Sequence, residues 1–401
     1  MRPRDQTRFS LILLPRKLKL YHVALILILL FFLFNSASLY KASLYKASLS
    51  YDGGAQEESR DKNKICFSDT CIEAQASNLA RVWQPHPRRD WCLPSSEDMN
   101  SESMDGNVTK GLWLIKVPKS ASSTVAGLVL RIAERRRCSV RWQHAEAVNV
   151  LTVPHNRSQT FRIAPIRHPH TRTLSSVYYH TVSLRARPSN GGSKPADAHI
   201  IRQLDRVENN YISDYTRISS GTDSLDPRQT VHEILYQYDF LLVVEDMEAS
   251  LVVFAWLADL SLSDVLIMSS KSSGSWYATG KKCVPLIPPQ MTPAVEEYWK
   301  TKGLTRHYTD RLLHAAARQS LQRTIERGMG RALFTERVRA FRQLQAAVQD
   351  SCAVTMNESA PCSPTGVYQP ERAKEACYVR DFGCGHRCVD EAARKYDIAH
   401  E

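Results

Sequence analysis

Short, turn-bounded apolar runs alternate with helical patterns along the middle of this chain, and that alternation narrows the fold more than any other feature. GLWLIKV (111–117), TFRIAPI (160–166) and YDFLLVVE (238–245) are continuous stretches of strand length. TVAGLVLRIAERR (124–136) and SLVVFAWLADL (250–260) carry helical periodicity. Buried strands interleaved with helices predict an α/β fold with a central, largely parallel sheet flanked by helices. Residues 305–349 predict one or two amphipathic helices broken near Gly328 and Gly330. Residues 185–230 are polar and turn-rich, an insertion of the kind that shapes a substrate mouth.

The N-terminal region predicts a single transmembrane helix. Residues 23–34 are continuously apolar within the segment 21–40, which is just long enough for a bilayer span of ~20 residues. Arg2, Arg4, Arg8, Arg16, Lys17 and Lys19 precede it, so a cytoplasmic tail and a lumenal remainder are expected. Ser36-Ala37-Ser38 leaves a cleaved signal peptide as the alternative. The repeat SLYKASLYKASLSY (38–51) and the polar run after it read as a stem. The expected layout is a tail at 1–20, an anchor at 21–40, a stem and Cys-containing linker at 41–109, a principal domain at 110–345 and a Cys-rich extension at 346–401.

All 10 cysteines lie beyond the span, and an oxidising lumen would pair them. The C-terminal group could suggest zinc, but Cys384 and Cys388 stand four apart and no paired C-x2-C arrangement is present. The sequons at Asn107, Asn156 and Asn357 fit the secretory pathway. A net charge of +12 favours an anionic partner, although a solvated basic surface would look the same. Nucleic acid is not expected, because aromatics are sparse along the basic stretch at 305–349.

Chemistry concentrates in LWLIKVPKSASSTVAGL (112–128), where a strand runs into Pro-Lys and small hydroxylated residues before a helix. Such a turn presents unpaired backbone N–H groups, and the helix dipole adds partial positive charge. Lys119 supplies an ammonium, and Ser120, Ser122, Ser123 and Thr124 supply hydroxyls around Ala121. The pattern G-x-x-x-x-G-K-[ST] is not met, which disfavours an ATPase or kinase. A capped helix start with a solvated lysine is the plain alternative. The second element is RIAPIRHPHTRTLSSVYYH (162–180): a strand ends at Arg167, Pro169 fixes the exit, and Ser175 follows on a helix. An arginine and a hydroxyl so spaced can grip one phosphate. Arg172 and Ser176 are expected to pair within that helix. Two anion sites on adjacent strand ends imply a ligand with two separated phosphates.

Together these motifs resemble the Golgi-anchored carbohydrate sulfotransferases that use 3′-phosphoadenosine 5′-phosphosulfate. PKSASST (118–124) is similar to their 5′-phosphosulfate loop, and its Ala121-to-Thr124 run is most similar to the galactose 3-O-sulfotransferase branch, which includes galactosylceramide sulfotransferase. IRHPHTRTLSSVYY (166–179) is similar to the 3′-phosphate motif, with His168 where the family usually has Asp, Asn or Glu. Residues 238–268 resemble the strand and helix that follow the acceptor region. The likeness covers about residues 110–345. It implies a P-loop-like phosphosulfate-binding loop, a sulfonyl donor bound without metal, a glycan or glycolipid acceptor, and a single-pass type II protein of the Golgi membrane. Ala and Ser can take the helical or turn angles such a loop needs.

For catalysis the resemblance points to Lys119 at the departing phosphate and to His144, in RWQHAEAV (141–148), as the general base, with Glu146 and His155 as lesser candidates. Cofactor binding would fall to residues 119–124, Arg167, Ser175 and Lys271, the last in KSSGSWY (271–277), a segment that reads equally as a surface turn. Glu245 and Asp246 would orient basic groups or the acceptor. A metal-independent glycosyltransferase and a catalytically inactive lumenal protein binding sulfated glycans or nucleotides are the competing readings; no D-x-D motif occurs in the chain.

Overall fold

The computed structural model describes residues 67–87, 92, 111–144, 156–184, 195–206, 215, 226–268, 274–279, 281–372 and 383–400. The expected anchor at 21–40 and the Ser36-Ala37-Ser38 junction lie outside these residues. Among the described residues no helix is long and apolar enough to cross a membrane.

The apolar runs form a parallel sheet. β1 (Gly111–Lys116), β2 (Val140–His144), β3 (Thr160–Ile166) and β4 (Phe240–Val243) lie in the order β2-β1-β3-β4, each pairing parallel to its neighbour. α1 (Asp69–Leu79) precedes β1, α2 (Ser122–Arg136) links β1 to β2, and α3 (Pro169–Val177) leaves β3. α4 (Asp197–Arg206) and α5 (Pro227–Gln237) lead to β4, and α6 (Met247–Leu257) follows it. The strands are buried along their whole length in β1, β3 and β4, which is why their sequences are continuously apolar rather than alternating. Two charges nonetheless sit inside. Arg162 stacks its guanidinium 4.2 Å from the Trp113 ring, and Lys116 holds its ammonium 4.7 Å from the Trp142 ring.

An antiparallel hairpin, β5 (Trp276–Thr279) and β6 (Lys282–Pro285), leads to α7 (Pro293–Tyr298), α8 (Tyr308–Arg323), α9 (Arg331–Glu358) and α10 (His386–His400). The break expected near Gly328 and Gly330 falls at Gly330, whose φ of 89° suits glycine and stops the helical run.

Segments on both sides of the expected principal domain pack into its core. Residues 67–87 were assigned to the linker, yet Trp83 is fully buried with its ring 4.9 Å from Phe240. The backbone N–H groups of Arg81 and Trp83 donate to Ser320 Oγ and Thr324 Oγ1, both at 2.9 Å, so this segment is strapped along α8. The C-terminal extension is likewise part of the principal unit, Cys66–Glu401, with Val389 and Ala393 in the main core. Disulfides join Cys92 to Cys138, Cys283 to Cys362 and Cys352 to Cys388, and Cys71 and Cys384 are disulfide-bonded as well.

Candidate functional site

β1 and β3 are neighbours, but the chain leaves β1 for β2 on one side and leaves β3 for β4 on the other. In open parallel sheets, ligands bind at the carboxyl ends of the strands where the chain order switches in this way. The loop at 117–121 and the Arg167–His168 turn both lie at that switch.

The loop reaches its shape without glycine. Lys119 (φ 59°) and Ala121 (φ 55°) are both left-handed, on either side of Ser120. The small-residue loop was expected to keep helical or turn angles, and these two positions depart from that. A left-handed non-glycine residue costs roughly 1 kcal/mol, and such strain clusters where a ligand is gripped. Alternating backbone hands also turn successive N–H groups toward one concavity, which suits an anion. α2 starts at this point with no side-chain cap, so its first N–H groups add to the concavity. Ser120 is fully buried and its Oγ has no hydrogen-bond partner among the described residues. Ser122 is buried too, whereas Ser123 and Thr124 are half-buried.

Arg167 ties the two motifs together. Its Nη1 donates to the Lys119 carbonyl at 3.3 Å and its Nε to Thr171 Oγ1 at 3.2 Å. Burial lowers its pKa, with Glu245 acting the other way. Ser175 sits half-buried on α3 and is not among the groups that bond Arg167. Arg172 was expected to pair within its own helix. It is buried and reaches across to the loop as well, its Nε donating to the Pro118 carbonyl at 2.9 Å.

After Val177 the helix widens to i→i+5 bonding over Tyr178–Ser183, with the Leu184 N–H donating to the Tyr179 carbonyl at 3.1 Å. Tyr179 there lies beneath the Lys119 ammonium, which is 3.9 Å from the ring centroid. Burial and Tyr277 push the Tyr179 phenol up to about 12, so it stays neutral. Tyr277 comes from the hairpin, 6.3 Å away between ring centres. His180 follows Tyr179, its pKa lowered by burial and by the charge of Lys119.

β4 supplies the third wall. Glu245, on a short turn after the strand, accepts the His168 backbone N–H at 2.9 Å and pairs with His314 Nε2 at 3.1 Å. Burial alone would raise its pKa; the His314 bond and charge and the His168 N–H outweigh that and hold it at about 2. Asp246 pairs with Arg318 at 3.3 Å, so both acids orient basic groups. They lie on a helical turn rather than a strand end.

His144 ends β2 with its backbone in register with Lys116, at the same edge as the loop. Its side chain, Glu146, His155 and Lys271 lie outside the described residues. Tyr179, His180, Arg172 and Tyr277 were not singled out as site residues. The first three stand in or beside the second motif and Tyr277 ends KSSGSWY (271–277), which were the available signals; tertiary packing brings Tyr277 to Tyr179.

No protein-family model, no curated protein and no solved structure matches the chain.

The histidines at this edge predict an acid-sensitive fold. Burial, followed by His314 for His168 and by His307 for His170, lowers both rings to about 4; Glu245 and Arg311 also face His168, and Glu296 faces His170. The folded protein therefore disfavours their protonation. Their stability contribution is complete above the ordinary value of about 6.5 and is lost as pH falls toward 4. At about 1.4 kcal/mol per tenfold change, reduced for partial exposure, each ring makes roughly 2 kcal/mol. Glu245 adds nothing in that window, since its contribution is lost only below about 4.5. Urea unfolding at pH 7.5 and pH 5 should show this decline, and His168→Gln should roughly halve it, leaving the share of His170. An unchanged midpoint between the two pH values would contradict the assignment.

Proposed function

We propose that this chain is a sulfotransferase that moves a sulfonyl group from 3′-phosphoadenosine 5′-phosphosulfate to a hydroxyl of a glycan or glycolipid, a galactose-type acceptor being one that the resemblance in motif allows. The observation that most supports the reading is the 3.3 Å bond from Arg167 to the Lys119 carbonyl. Two stretches read independently as phosphate sites meet at the sheet edge where a nucleotide belongs. The left-handed Lys119 and Ala121 and the orphaned Ser120 Oγ fit a loop shaped for an anion.

In this reading, residues 119–124 hold the 5′-phosphosulfate, Arg167 and Ser175 hold the 3′-phosphate, and Lys271 closes over the nucleotide. The acceptor oxygen attacks sulfur in line. The new O–S bond forms as the bond from sulfur to the bridging phosphate oxygen breaks, giving a sulfate ester and 3′-phosphoadenosine 5′-phosphate. Lys119 neutralises the charge on the departing oxygen. His144 takes the acceptor proton, work worth about 10²–10⁴-fold. The disulfides support a lumenal setting, as in a Golgi type II membrane protein.

Calorimetric titration of the full-length protein with 3′-phosphoadenosine 5′-phosphate tests the donor site. Micromolar binding that Arg167→Ala abolishes is the expected result. A well-folded protein that releases no heat would sink the proposal. Binding without turnover on any glycan would favour an inactive nucleotide- or glycan-binding protein.

A further inference from the structure

We infer that Arg172 is a positioning residue: it never touches the nucleotide, yet it sets the shape of the loop that receives the 5′-phosphate. The inference rests on the sulfotransferase reading and adds a role that the motifs do not assign. Arg172 is 3% exposed and donates from Nε to the Pro118 carbonyl at 2.9 Å. Arg167 donates to the next carbonyl, that of Lys119, at 3.3 Å. No peptide bond among the described residues is cis, and in a trans peptide the C=O and the following N–H point in opposite directions. Pinning the Pro118 carbonyl therefore fixes the Lys119 N–H on the side away from Arg172. Pinning the Lys119 carbonyl fixes the Ser120 N–H in the same manner.

These amides lie in the stretch where Lys119 and Ala121 hold left-handed angles without glycine. Nothing intrinsic to Lys or Ala favours that conformation, so it persists only where the surroundings enforce it. The two arginines are that enforcement. Both stand on or beside the element that reads the 3′-phosphate, so one rigid piece of chain carries the 3′ site and braces the 5′ loop. Lysine cannot replace Arg172 here, because its single terminal ammonium lacks a donor at the Nε position.

The test compares adenosine 3′-phosphate with 3′-phosphoadenosine 5′-phosphate on the full-length wild type, Arg172→Met and Arg172→Lys. The ratio of their dissociation constants isolates what the 5′ loop contributes. In the wild type that ratio should be large. In Arg172→Met it should fall by roughly tenfold to a hundredfold, the worth of a buried charged hydrogen bond, while adenosine 3′-phosphate still binds almost as before. General damage to the fold would weaken both ligands together and leave the ratio alone, and that outcome would overturn the inference. Arg172→Lys should lie between, and it carries the test if the methionine variant does not fold.

Amide hydrogen exchange across 117–121 provides a readout that needs no ligand. It should quicken in the variants while β1 and β3 keep their protection. If the wild type binds neither nucleotide, the sulfotransferase reading falls, and exchange alone judges the brace: an unchanged loop would refute it.

Discussion

Lys119→Ala is expected to lower turnover by about 10²–10³-fold while weakening 3′-phosphoadenosine 5′-phosphate binding by roughly tenfold or less. In the proposed sulfonyl transfer, the split follows from where the ammonium would act. Charge on the bridging oxygen grows as the S–O bond breaks, so a preorganised cation stabilises the transition state more than either bound nucleotide. Tyr179 helps to hold it there, with the Nζ 3.9 Å from the ring centroid. The fold should survive, because the lost cation–π contact is worth only about 0.5–1 kcal/mol and Ala in the left-handed region is no more strained than Lys. Lys119→Arg should rescue poorly, since the planar guanidinium is larger and donates from different positions. Single-turnover rates with saturating donor would read the effect. Turnover within threefold of wild type would remove Lys119 from the chemistry and leave it a solvated loop residue.

What could be read from the sequence was what the backbone pattern encodes. GLWLIKV, TFRIAPI and YDFLLVVE are apolar because β1, β3 and β4 are covered on both sides, as the crossovers of a parallel sheet require. That Lys119 and Arg167 would lie close followed from placing two strand ends side by side. The left-handed angles at Lys119 and Ala121 could not be read, since the usual sign of such angles is glycine and the loop has none. The reach of Arg172 was hidden for a similar reason: spacing along a helix suggests local partners, whereas the Pro118 carbonyl that its Nε meets is distant in sequence. Lys116 and Arg162 interrupt apolar runs and are carried by tertiary contacts: they stack on Trp142 and Trp113, and Arg162 also donates to the Gln237 carbonyl at 3.3 Å. Composition understated how tightly the segment before β1 packs. The segment around Trp83 is polar and short of periodicity, yet one buried indole and its backbone bonds to Ser320 and Thr324 commit it to the core.

The C-terminal helix gives the largest expected stability effect. Asp390→Ala should cost about 3–5 kcal/mol, because it strands the Arg131 guanidinium in the interior. Arg131 on α2 is 2% exposed; it bonds Asp390 at 3.3 Å and also donates to the Leu266 carbonyl. Burial pushes the two groups in opposite directions, Arg131 down and Asp390 up, so each partner is poorly solvated and their attraction does little more than offset that loss. The single deletion is therefore far worse than a joint one. Arg131→Met with Asp390→Leu should return to within about 1 kcal/mol of wild type, or exceed it, in urea unfolding at constant pH. Cys352–Cys388 still tethers α10 to α9 in every variant, so the loss reports the pair rather than detachment of the helix. A cost below about 1 kcal/mol for Asp390→Ala would mean that Arg131 finds water or another acceptor and that α10 is only loosely docked. Because Arg131 lies well along α2 from the Lys119 loop, nucleotide affinity should hardly change in the folded double variant. Stability and recognition, though they share one helix, should then separate by measurement.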